Sequence, residues 1–181
     1  MPGPRPGGGW LEEAAELSAA TRWILGEQFA RLGELEERVK RVERELQRVT
    51  AEDRTTQELQ RHDGIGFVTA VTLSAEIGRF GRFRSGKQLA RYCGLSPCNA
   101  STGKRQADAG LVRAGNRELR GVLIEAAHRL AQHDPKWRAL RDQLRKRKPY
   151  NVALAAVANR WVRWLHHQML RVETEPLGAA A

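Results

Sequence analysis

The sequence predicts an all-α fold: an N-terminal coiled-coil helix, then a compact helical domain containing a helix-hairpin-helix. Three observations predict it. Leu32, Leu35, Val39, Val42, Leu46 and Val49 alternate three and four residues apart, the spacing of a coiled-coil seam. Later apolar sets, Leu119, Val122, Leu123, Ala126 and Leu130, then Leu154, Val157, Trp161, Trp164 and Leu165, recur at the helical period. No segment reads convincingly as a strand.

Residues 1–9 are Pro/Gly-rich and read as a disordered, linker-like start. Residues 10–56 form the coiled-coil region. Charges beside the seam, Arg31 with Glu36 and Arg38 with Glu43, are complementary in a parallel pair. Self-association into a homodimer, or pairing with a partner chain, is the favoured reading. The alternative is an intramolecular hairpin, in which residues 11–29 fold back on the stripe, bending at Gly26 and Gly33.

Residues 57–171 form the helical domain. In Asp63-Gly64-Ile65-Gly66-Phe67 two glycines flank one apolar residue. Both glycines can take positive φ and admit another backbone, while Ile65 plugs the core. Val68, Val71, Thr72 and Ala75 then recur at helical spacing. The amides opening that second helix suit a phosphate oxygen; the alternative is a helix end followed by a new helix, with no ligand.

The run from Arg79 to Lys87 interleaves Phe80 and Phe83 with cations. Ser85 is a candidate N-cap for a helix over 86–92. Residues 94–110 are punctuated by Pro97, Gly103 and Gly110 and read as a long loop, of the kind that is often functional. Asn116 can cap a helix over 117–133, and Asp134-Pro135 starts another. The tryptophans of the last stripe, Trp161 and Trp164, read as core. Residues 172–181 read as a frayed tail.

The charge is unevenly spread. The formal net charge is +10, and residues 64–181 carry twenty-one basic against eight acidic side chains. Between Arg79 and Arg120 there are ten Lys/Arg and two acids; between Lys136 and Lys148, seven and one. Such a half suits a polyanion. The residues offered for DNA are Gly64, Ile65 and Gly66 of the hairpin, Arg82, Arg84 and Lys87 of the basic run, and Lys104, Arg105, Arg113, Asn116 and Arg117 beyond it. A non-enzymatic scaffold and an RNA-binding accessory protein are the competing classes.

Two cysteines, Cys93 and Cys98, make no disulfide framework. No Cys/His set has zinc-finger spacing, so no metal site is expected. The chain has no apolar run near the ~20 residues that span a bilayer, and its start lacks the apolar core of a secretory signal. A cytoplasmic protein with no membrane partner is expected.

The pieces GIGFVTAVTLSAEIGRFGRFRSGKQLARYCGLSP, STGK and AGNRELR, and more loosely KPYNVALAAVANRWV, give the chain its likeness. Over about residues 59–170 it resembles the C-terminal domain of insertion-sequence transposases of the 110/116/902 family, RNA-guided recombinases of prokaryotes. The resemblance implies DNA transposition by strand exchange, with a guide RNA as a further partner and the nucleoid as the place of work. It implies that Ser101, the position matching the family's serine, forms a covalent link to a DNA 5′-phosphate; Thr102 is the adjacent hydroxyl. From the residues alone, Ser101 is a hydroxyl-bearing turn beside Lys104 and Arg105. This chain has Ser-Thr-Gly-Lys where many relatives have Ser-Ser-Gly-Gly-Lys.

Full-length relatives also carry an N-terminal RNase-H-like domain with four acidic metal ligands. The sequence begins almost at the coiled coil, so a truncated or split transposase is expected. No cofactor belongs to this chain, Mg²⁺ being expected only with the acidic domain, and transposition by the chain alone is not expected.

Overall fold

The computed structural model describes residues 17–99, 108–111 and 114–174. Seven α-helices, one 3₁₀ turn and a two-stranded ribbon make up these residues, so the fold is mainly all-α. The chain divides into two units, 1–49 and 50–181.

The first unit contributes one helix, α1 (Ala19–Val49), with no buried residue. Leu32, Leu35, Val39 and Val42 of the heptad stripe are each 43–57 % exposed. The helix runs unbroken through Gly26 and Gly33. This overturns the fold-back alternative over its described part, because residues 19–29 continue the same helix. Each glycine costs roughly 1 kcal/mol relative to alanine, a cost that neighbouring Leu, Glu, Arg and Lys absorb without a bend. Exposed pairs such as Lys40–Glu37 at 2.9 Å and Arg48–Glu45 at 2.6 Å line its surface at helical spacing.

The second unit opens with α2 (Arg54–Gln60), whose start is built by Asp53. Its carboxylate accepts from the amides of Thr55 (3.1 Å) and Thr56 (3.2 Å) and from the hydroxyls of Thr56 (2.5 Å) and Ser74 (2.7 Å). Burial pushes this carboxyl up, but the four hydrogen bonds together outweigh burial and hold it below its ordinary value. The Ser74 bond also ties α2 to α3 (Phe67–Ile77). Between them Ile65 is buried, as its place between two glycines predicts.

A 3₁₀ turn (Phe80–Arg82) leads into α4 (Gly86–Tyr92). Ser85 caps α4, its hydroxyl accepting from the Gln88 amide at 3.3 Å. Next come β1 (Pro97–Asn99) and β2 (Asp108–Leu111), antiparallel, with Pro97 opposite Leu111 and Asn99 opposite Asp108. The register slips by one residue between these pairs, as at a β-bulge. The ribbon corrects the strand-free reading of residues 94–110: three- and four-residue strands are too short to show alternation.

Three helices close the unit: α5 (Arg117–His133), α6 (Pro135–Arg145) and α7 (Tyr150–Thr174). Asn116 caps α5 through the Leu119 amide at 3.1 Å, and Asp134 caps α6 through that of Lys136 at 2.7 Å. Helix α7 carries the core: Leu154, Val157, Trp161, Val162, Leu165 and Met169 are buried. Trp161 is wholly enclosed, while Trp164 is half-buried and packs against the core.

Candidate nucleic-acid interface

The hairpin and the basic run lie at opposite ends of α3, separated by its eleven residues, or roughly 16 Å. They are two sites on the surface, not one.

At the hairpin, Gly64 has φ of 80°. A Cβ there would meet the Leu130 amide nitrogen at 3.1 Å and the Ala126 carbonyl at 3.2 Å. The backbone that Gly64 admits is therefore the chain's own α5. Gly66 differs from the sequence reading: its φ is −80°, it sits in extended conformation at the N-cap of α3, and no side chain caps that end. A Cβ on Gly66 would meet nothing within 4 Å. The uncapped amide end remains suited to a phosphate. Ile65, being buried, offers it no contact.

At the other end of α3 the cations gather. Phe80 and Phe83 are buried and pin the segment to the core, while Arg79, Arg82, Arg84, Lys87 and Arg91 are exposed. The Arg82 guanidinium lies 4.5 Å from the Phe83 ring centroid and 4.7 Å from that of Tyr92, a cation–π seat that keeps its charge outward. Phe83 is held again from below: its carbonyl accepts from Nε2 of buried His166 at 3.1 Å. That acceptor requires the Nε2–H tautomer.

Two acids near the strip make structural hydrogen bonds. Glu173, near the end of α7, accepts from the amides of Phe80 (2.5 Å) and Gly81 (2.8 Å). The Glu76 carboxylate accepts from the Asn116 side chain at 2.7 Å. Asn116 thus has two structural duties, capping α5 and tethering it to α3. Arg117, one residue on, is exposed.

Sequence reasoning missed Arg160 and Arg163. Helix α7 crosses α4 so closely that a Cβ on Gly86 would lie 2.8 Å from the Arg163 Cα. The Asn159 amide reaches the Leu95 carbonyl at 3.0 Å. Exposed Arg160 and Arg163 are therefore carried beside the end and the start of α4. The signal was there in a weak form: they occupy the polar side of the Trp161–Leu165 stripe, next to a glycine that opens a helix.

Beyond α4 the backbone doubles back on itself. Gly94 has φ of 67°, and a Cβ on Gly115 would fall 2.2 Å from the Gly94 Cα. The Asn116 amide donates to the Tyr92 carbonyl at 2.8 Å. This crossing closes the segment that includes Ser101, Thr102, Lys104, Arg105 and Arg113, which all lie outside the described residues. Of the cysteines, Cys93 is buried and its thiol is pushed up to about 12 by burial, so it is inert as a nucleophile at neutral pH.

Among the described residues no three metal-ligating side chains come together, and no metal-borne step is assigned to them. Among them too, no helix is long and apolar enough to cross a membrane.

The second unit is thus a helical domain carrying an exposed cationic strip on buried phenylalanines. Comparison with known proteins sharpens this. Residues 56–142 match the transposase IS116/IS110/IS902 family, and the chain belongs to that family. It is 34% identical over 158 residues to a probable family 20 transposase of Pseudomonas aeruginosa, covering 84% of this chain and 46% of that one. It is 30% identical over 172 residues to the transposase for insertion sequence element IS1111A of Coxiella burnetii, covering 92% and 47%. The chain spans about half the length of these curated relatives.

Proposed function

We propose that this chain is the DNA-binding and strand-exchange half of a transposase. The observation that carries the reading is the exposed strip of Arg79, Arg82, Arg84, Lys87 and Arg91, seated on buried Phe80 and Phe83 and flanked by Arg117, Arg160 and Arg163. It holds the phosphates of duplex DNA, and the hairpin amides at the start of α3 add a second contact. Ser101 is the nucleophile: its Oγ attacks phosphorus and forms a phosphoserine link to the 5′-phosphate, and the 3′ oxygen leaves with a proton. Lys104 and Arg105 offset the charge that builds on the phosphoryl oxygens. Mg²⁺ chemistry belongs to an acidic domain like that of full-length relatives, and a guide RNA selects the target. The α1 stripe pairs with a second copy. The work takes place in the prokaryotic cytoplasm, on the nucleoid.

The test is a covalent-adduct assay. The chain, supplied with an acidic domain from a relative, meets DNA, guide RNA and Mg²⁺. A detergent-resistant protein–DNA band that disappears in Ser101→Ala is expected. Its absence, where the intact relative gives one, would leave a DNA-binding remnant without chemistry. Duplex affinity should also fall steeply with salt, by about 0.9 log units per log unit of salt for each phosphate contact. Affinity that ignores salt would remove the DNA reading as well.

A further inference from the structure

A second cluster of cations lies where α6 turns into α7, at and just past the end of the residues 56–142 that match the family. Part of it has a structural explanation. Arg141 donates to the Ala131 carbonyl at 3.0 Å, and Arg138 donates to that of Gln132. Both satisfy carbonyls at the end of α5. Arg145, Lys146, Arg147 and Lys148 follow as four consecutive exposed cations. The acid nearest in sequence, Asp142, is paired with Arg141 at 2.8 Å. One or two cations suffice to complement a helix C-terminus; Arg145, Lys146 and Arg147 together exceed that need.

An aromatic ring stands beside them. Tyr150 opens α7 and remains 37 % exposed. The Arg145 guanidinium lies 5.3 Å from its ring centroid, and His128 of α5 meets the ring edge-on at 6.1 Å. The ring is fixed in direction without being enclosed. Cations next to an orientated, accessible aromatic ring match the chemistry of unpaired nucleotides, which offer phosphates and a base face together. Paired bases in a duplex offer the phosphates alone. From Tyr150 to Arg163 is thirteen residues along α7, or roughly 20 Å, so this cluster is separate from the strip.

We propose that the α6–α7 turn binds an unpaired nucleic-acid strand, with Arg145, Lys146 and Arg147 on its phosphates and Tyr150 stacked on a base. The proposal rests on the nucleic-acid reading of this chain, but on a different surface from the duplex contact.

Fluorescence anisotropy of the whole 181-residue chain with labelled oligo-dT, oligo-rU of equal length and a duplex tests it. Tyr150→Ala should weaken strand binding roughly ten-fold, while Tyr150→Phe retains it and shows that the fold is intact. Changing Arg145, Lys146 and Arg147 to Gln should lower the salt slope for a single strand by about 2. Tighter binding of oligo-dT or of oligo-rU assigns the strand to DNA or RNA, and either result supports the site. Strand affinity unmoved in both the alanine and the glutamine variants overturns it, as does an equal loss of duplex binding in Tyr150→Ala. Arg84→Gln with Lys87→Gln separates the two readings: loss of duplex alone leaves the strand site to stand or fall by its own variants. Strand binding that persists while those strip changes leave the duplex untouched sinks the duplex contact alone.

Discussion

Helices α1 and α7 are the two longest among the described residues, at 31 and 25 residues, and they use their apolar residues in opposite ways. Helix α7 buries nine residues among its neighbours; α1 buries none. The patterns differ in kind. The stripe of α7 is wide, mixing alanine with tryptophan and leucine, as a helix surrounded by others requires. That of α1 is a narrow three-four seam bordered by charge, which suits a single facing helix. A long helix with an exposed stripe gains little stability by itself; in the proposed reading a second copy meets that stripe.

The comparison predicts unequal responses to substitution. Trp161→Ala in α7 should cost about 3–5 kcal/mol and be read as a large drop in thermal midpoint. Trp23→Ala, at a position 68 % exposed, should leave that transition in place; equal losses would break the contrast. Leu35→Asp with Val42→Asp should convert an associated species to monomer in sedimentation while the α7 unit melts as before. Unchanged mass would show that the stripe is not the seam. Gly115→Ala, with its Cβ driven into Gly94, should cost about 1–3 kcal/mol, measured by denaturant midpoint. Asp53→Ala should cost about 1 kcal/mol. Because the Asp53 carboxyl is held below its ordinary value, its contribution is present above pH ~4 and is lost as pH falls through the folded value; the two proteins should converge in acid.

The smallest effect concerns His62. Burial lowers its proton affinity, partly countered by Glu58 and Asp63, and its ring meets Trp164 edge-on at 5.3 Å. With the folded value lowered, the unfolded chain takes up the proton first. Stability should therefore decline as pH drops below about 6.5, and the decline should be shallower in His62→Gln. An identical pH profile would show that the imidazole is not the group responsible.

What the sequence discloses follows from range. Ser85, Asn116 and Asp134 announce helix starts because a cap bonds amides only two or three residues away. Ile65 announces its burial because its flanking glycines leave one direction inward. The family likeness was legible from ordered motifs. The ribbon was not, since strands of three and four residues pair across a long connection and carry too few residues for a period. Nor were Arg160 and Arg163, whose place beside α4 depends on where α7 crosses Gly86. The two glycines of the hairpin look alike on paper, yet only Gly64 has positive φ; the packing of α5 makes that distinction.

The crossing of Gly94 and Gly115 has one more consequence. It brings the two ends of the intervening stretch together. Changing the length of a connection whose ends are already joined costs little, about 0.6 kcal/mol for each doubling. The length of the connection from β1 to β2 can therefore change at a small cost in closure entropy.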